Sequence, residues 1–81
     1  MPKISQSDVI AIIGKALEMK PGLLKENTRA EEVDGWDSLG QLGILAVLDQ
    51  LFDGKIANIT DMAAADSIPK ILNILRQHSL L

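Results

Sequence analysis

Apolar residues at Val9, Ile12, Ile13, Ala16 and Leu17 follow the i, i+3, i+4, i+7, i+8 spacing that gathers side chains on one face of an α-helix, with Lys15 and Glu18 outside it. Ser5 followed by Asp8 has the form of a capping box, with Asp where Glu is usual, and opens this amphipathic helix. Pro21-Gly22 is expected to stop it, because Pro cannot continue the hydrogen-bond ladder and Gly takes a left-handed turn cheaply. From Leu23 to Asp37 no period survives. A segment that long in a small domain is functional, anchored, or both, and Leu23, Leu24 and Val33 are the candidate anchors.

A second helix is predicted from about Leu39 to Phe52, where Leu42, Leu45, Leu48 or Asp49, and Phe52 trace one stripe. Ile44, Val47 and Leu51 make it apolar over more than one face. Central burial among the other helices accounts for that excess, and so does a cleft for a hydrophobic ligand or a partner protein. Asp53-Gly54 ends the helix. Thr60 or Asn58 can cap a short helix through Asp61-Met62-Ala63-Ala64. Ser67 caps a last helix that tolerates Pro69 in its first turn and buries Ile68, Ile71, Leu72 and Leu75. No alternating strand and no solenoid repeat occurs. The expected fold class is all-α, a small bundle of three main helices plus one short helix, in a single domain over residues 1–81.

With 81 residues, 47% apolar and 23% charged, the chain has the composition of a folded domain and not of a disordered one. Surface scaling predicts burial of roughly 60 to 65% of the unfolded chain's surface, which gives a modest core without a deep catalytic cavity. There is no cysteine and a single histidine, His78, so disulfides, thiolate nucleophiles and Cys/His zinc sites are excluded and no metal site is expected. Met1-Pro2-Lys3-Ile4 leads into no long apolar run, and stretches such as Val9 to Ile13 fall far short of the roughly 20 residues of a bilayer span. A cytoplasmic monomer without a membrane partner is the expectation. One Trp, one Phe, no Tyr and a pI near 4.9 argue against nucleic acid.

The net charge of −3 is unevenly distributed. Residues 26–53 hold seven acids (Glu26, Glu31, Glu32, Asp34, Asp37, Asp49, Asp53) against Arg29 alone, a net −6, and the flanks hold four acids against seven bases, a net +3. Those acids either solvate a loop and helix N-termini, where the helix dipole favours them, or select a basic partner.

Chemistry concentrates in Val33-Asp34-Gly35-Trp36-Asp37-Ser38-Leu39-Gly40, where a loop delivers Asp-Ser-Leu to the start of an apolar helix. Backbone N–H groups there lack intrahelical partners and the dipole is positive, so a phosphate on the Ser38 oxygen is electrostatically favoured. Asp37 can support phosphoryl transfer by holding Mg²⁺, which commonly binds one or two carboxylates together with phosphate oxygens. The competing reading makes Ser38 a plain N-cap. Asp66-Ser67-Ile68 repeats the pattern before the last helix, and there Ser67 is read as a cap only. No base can be placed beside Ser38, since the only His lies in the tail, and the chain is not expected to be an enzyme.

The sequence resembles the acyl carrier protein family. The likeness runs through nearly the whole chain: a capped first helix, a long loop, Gly-Trp-Asp-Ser-Leu at mid-chain, an apolar helix closing with Leu48-Asp49-Gln50-Leu51-Phe52-Asp53-Gly54-Lys55-Ile56, and a final helix after Asp66-Ser67-Ile68. It implies an acyl carrier protein-like four-helix bundle in which Ser38 carries 4′-phosphopantetheine from coenzyme A. The terminal thiol then holds acyl or aminoacyl cargo for fatty-acid, polyketide or related metabolism. Implied partners are a phosphopantetheinyl transferase, a loading ligase and downstream synthase or transferase enzymes. They would dock around Glu31, Glu32, Asp34, Trp36, Leu39 and Gln41, while Leu42, Leu45, Ala46, Leu48, Ile59, Met62 and Ile71 are candidates for an acyl-chain lining or for ordinary core.

Carriers of central fatty-acid synthesis typically have an acidic second helix. Here the corresponding face reads Gly40, Gln41, Gly43, Ala46, Val47 and Gln50, with Asp49 its only acid, and the charge lies in the preceding loop. A specialised stand-alone carrier is therefore expected, and Trp36 before the motif is similar to such members. Gly40 and Gly43 each cost a helix about 1 kcal/mol relative to Ala, which predicts a locally loose start to the second helix. The alternative of a different class is an unmodified acidic helical module that docks on a basic protein.

Overall fold

The computed structural model describes residues 4–20 and 22–81. Among the described residues three α-helices form, α1 (Gln6–Ala16), α2 (Ser38–Leu51) and α3 (Ile68–Gln77), with short 3₁₀ turns at Ala30–Glu32, Ile56–Asn58 and Thr60–Ala64. Among the described residues there is no β-strand, only an isolated antiparallel bridge between Arg29 and Ser67. The radius of gyration is 11.5 Å, close to the roughly 11.7 Å that compact packing gives for this length.

Each helix starts where a side chain can cap it. Ser5 Oγ accepts from the Asp8 N–H at 3.1 Å and the Asp8 carboxylate accepts from the Ser5 N–H at 2.9 Å, the reciprocal capping box. All three helices end alike, by a left-handed residue without a glycine's freedom. Glu18, Asp53 and Ser79 have φ of 57°, 56° and 59°. Their geometry is that of the Schellman motif, in which the next residue's N–H returns to a carbonyl five positions back: Met19 to Gly14, Gly54 to Asp49 and Leu80 to Leu75. α1 therefore stops at Ala16, ahead of the expected Pro21-Gly22 stop. Turning at Glu18 brings Leu24 back onto the core, where it is buried. Pro21 lies outside the described residues.

α1 packs against α2, and α2 flanks the two 3₁₀ turns that lead to α3. Val9 and Ile13 of α1, Ile44 and Leu48 of α2, and Ile68, Ile71 and Leu75 of α3 meet at full burial. The face read for α3 is the face it buries. The expected short helix at Asp61–Ala64 is instead the 3₁₀ turn Thr60–Ala64, and neither Thr60 nor Asn58 caps it. The reason is a period of three: Ile56, Ile59, Met62, Ala65 and Ile68 are all buried. A 3₁₀ turn stacks residues i and i+3 directly above one another, whereas an α-helix would rotate every third side chain away from the core.

The long loop is anchored, though not entirely where expected. Leu24, Thr28 and Trp36 are buried and Val33 is half-buried, while Leu23 is 59% exposed. Backbone bonds fasten it to the start of α3, with Ala30 N–H donating to the Asp66 carbonyl and Ile68 N–H to the Thr28 carbonyl, both at 2.8 Å. No helix of the described residues is long and apolar enough to cross a membrane.

Candidate functional site

The cap of α2 is Asp37 and not Ser38. Asp37 has an extended backbone (φ −107°, ψ −161°), and its Oδ1 accepts from the Gly40 N–H at 2.9 Å. Ser38 is thereby the first helical residue. It is exposed, and its hydroxyl makes no hydrogen bond among the described residues. At the second Asp-Ser pair the roles are reversed. Ser67 is the cap, 5% exposed, its Oγ accepting from the Lys70 N–H at 3.2 Å, while Asp66 stands outside the helix and binds Lys70 Nζ at 2.7 Å. The same residue pair is thus used in two registers, and only one register leaves the serine free.

Around Ser38 the first turn of α2 remains electropositive. Asp37 occupies the Gly40 N–H, and the Gln41 N–H closes the first helical bond on the Asp37 carbonyl at 2.8 Å. The N–H groups of Ser38 and Leu39 have no acceptor among the described residues, so a phosphate ester on Ser38 would meet both these donors and the positive end of a 14-residue helix. Asp37 has its second carboxylate oxygen available for a divalent cation. Among the described residues no group of three or more His, Cys, Asp or Glu side chains has the arrangement of a metal site.

Ser38 stands at one end of an open groove of about 490 Å³ between α2 and the Thr60–Ala64 turn. Leu42 and Leu45 form its helix side and Ala63, Ala64 and Ala65 the opposite side. A second groove of about 560 Å³ continues past Leu45 and Ala63, lined by Ala46, Ile56 and Ile59 among others. Of the residues expected to line an acyl site, Leu42, Leu45, Ala46 and Ile59 do face these grooves. Leu48, Met62 and Ile71 do not, being fully buried core. The alanine run at 63–65 was missed by sequence reasoning, and its signal was there: three adjacent small side chains opposite a leucine stripe leave a furrow.

The expected docking residues divide. Glu31, Glu32, Asp34 and Leu39 are exposed, Leu39 by 80%. Arg29 pairs with Glu31 at 3.2 Å and Glu32 at 3.5 Å, partly neutralising that edge. Trp36 and Gln41 are turned inward instead. Trp36 is only 7% exposed, and its Nε1–H donates to Gln41 Oε1 at 2.7 Å, because a buried indole needs an acceptor. Gln41 Nε2 in turn donates to the carbonyls of Met62 at 3.1 Å and Ala63 at 3.3 Å.

At the start of α2, where the glycines were read only for their cost to the helix, Gly40 also has a packing role. A Cβ on Gly40 would lie 2.2 Å from the Gly35 carbonyl oxygen and 3.1 Å from Leu17 Cδ2. At Gly40 the loop backbone therefore approaches α2 too closely for any side chain. Asp49, the one acid on the helix face, is likewise engaged, its Oδ1 accepting from the Ala57 N–H at 3.0 Å. No protein-family model, curated protein or solved structure matches this chain.

Proposed function

We propose that this protein is a carrier with no catalysis of its own, in which Ser38 is the attachment point for 4′-phosphopantetheine donated by coenzyme A. The observation that carries the reading is the division of labour at the start of α2. Asp37 takes the capping role, leaving an exposed serine hydroxyl with no structural work at the end of an apolar groove. Bound there, the group supplies a thiol that holds acyl or aminoacyl cargo as a thioester, which a cysteine-free chain cannot supply itself. The N–H groups of Ser38 and Leu39 would hold the phosphate, and Leu42, Leu45 and Ala63–65 would shelter an apolar cargo from water. Leu39 and Leu42, 80% and 62% exposed, flank the serine and offer a transferase or loading ligase an apolar contact beside the acids Glu31, Glu32 and Asp34.

The test is intact mass. Incubation with coenzyme A and a broad-specificity phosphopantetheinyl transferase should add one phosphopantetheine unit, and Ser38→Ala should abolish the gain. An unchanged wild-type mass across several such transferases would overturn the reading and favour an unmodified acidic module, whose binding to a basic protein would weaken with salt and ignore Ser38→Ala.

A further inference from the structure

We propose that Gln41 is the gate of the Ser38 groove: its carboxamide clasps the Thr60–Ala64 turn to α2, and a chain attached at Ser38 enters by breaking the bonds from Gln41 to the Met62 and Ala63 carbonyls. This rests on the reading of Ser38 as an attachment point. Gln41 lies three residues beyond Ser38 and Leu45 seven beyond it, so all three share one face of α2. A chain running from Ser38 toward Leu45 must pass Gln41, and that side chain is anchored on both sides, to Trp36 through Oε1 and to the turn through Nε2.

The far wall is the movable one. The Thr60–Ala64 turn has no side-chain cap, and Ala63 and Ala64 are exposed and face α2 across the groove with methyl side chains only. Met62 is its single deeply buried anchor. Ala63 lines both grooves, so displacing it widens them together, and Gln41 holds its carbonyl. Trp36, the only tryptophan in the chain, sits at the other end of the clasp and reports its state.

Because the chain lacks cysteine, Ser38→Cys creates a single labelling site. Methyl, hexyl and decyl methanethiosulfonates would each form a mixed disulfide there, releasing methanesulfinate, with no transferase required. Amide exchange is read at Met62 and Ala65, whose N–H groups bond to the Ile59 and Met62 carbonyls at 3.1 Å and define the turn. The decyl adduct should exchange about tenfold faster there than the methyl adduct, with a change in Trp36 emission. Gln41→Leu without any adduct should raise the same exchange to a similar extent. Gln41→Glu, which can still accept from Trp36 but cannot donate to the carbonyls, should free the turn while preserving the Trp36 emission, and it carries the test if Gln41→Leu does not fold. Identical exchange and emission in the methyl and decyl adducts, or wild-type exchange in the Gln41 variants, would overturn the gate. Failure of the transferase to modify Ser38 overturns only the carrier reading, since these adducts form without it.

Discussion

Two Asp-Ser pairs precede two helices in this chain, and which of the two residues becomes the cap decides which serine is free. Asp and Ser are about equally good caps, so composition does not distinguish the registers. The choice is made by the anchor before each helix. Burial of Trp36 ends the loop such that Asp37 is the last extended residue, whereas the bond from Ile68 N–H to the Thr28 carbonyl holds Ser67 extended at φ −157°. The Asp-Ser pair at the start of α2 was legible in the sequence as a helix boundary, but the freedom of Ser38 was not, because it depends on contacts made by other residues. Replacement should expose the difference. Asp37→Ala and Ser67→Ala should each lower stability by about 1 to 2 kcal/mol through loss of a cap, and Ser38→Ala should stay within about 0.5 kcal/mol of wild type. Urea midpoints at constant slope provide the measurement, and a Ser38→Ala loss equal to that of Asp37→Ala would return the cap to Ser38.

At the scale of elements, α1 and α3 were legible because each has a single apolar face at helical spacing, and the structure buries Val9 and Ile13 of one and Ile68, Ile71, Leu72 and Leu75 of the other. The connection between α2 and α3 was less so. Its apolar residues recur every third position, and a search for periods of 2 and 3.6 passes over a period of 3. At Gly40 a helix-propensity argument sees only the local cost and not the close approach of Gly35, in the loop. Two substitutions of identical chemistry should therefore have opposite signs. Gly40→Ala drives a methyl into a backbone carbonyl and should destabilise by about 1 to 3 kcal/mol. At Gly43 the nearest neighbours of a Cβ are the Ala16 carbonyl oxygen at 3.8 Å and Ala16 Cβ at 4.0 Å, ordinary contacts. There the gain in helix propensity should dominate, raising stability by about 0.5 to 1 kcal/mol. Thermal or urea unfolding of the two variants decides it, and a loss of similar size in both would mean that α2 tolerates no approach from α1.

For the whole molecule, a surface of 5329 Å² against the roughly 12,800 Å² of an unfolded chain of this mass means that about 58% is buried, slightly below the scaling expectation. Two carboxylates are held below the ordinary aspartate range: Asp8, chiefly by the Ser5 backbone N–H and then its hydroxyl, and Asp66, chiefly by its hydrogen bond to Lys70 and then by that ammonium's charge. A carboxyl whose folded pKa is depressed stabilises the fold fully above its unfolded value, near 3.9, and loses that contribution as pH falls through the folded value. Neither group should therefore alter stability between pH 7 and about pH 5, and both contributions should begin to fall near pH 4 and be lost completely only below the folded values. Asp66 also lines the Ser38 groove, and its backbone carbonyl accepts from Ala30 independently of the side-chain pair with Lys70. Urea midpoints measured from pH 7 down to about pH 2.5 should fall more gently in Asp8→Asn/Asp66→Asn than in wild type, since the double variant has already lost both titrations. Added salt should flatten the Asp66 part and spare the Asp8 part, which rests on hydrogen bonds within the cap and not on a counter-charge. An acid limb of unchanged slope in the double variant would place the acid sensitivity on other carboxylates.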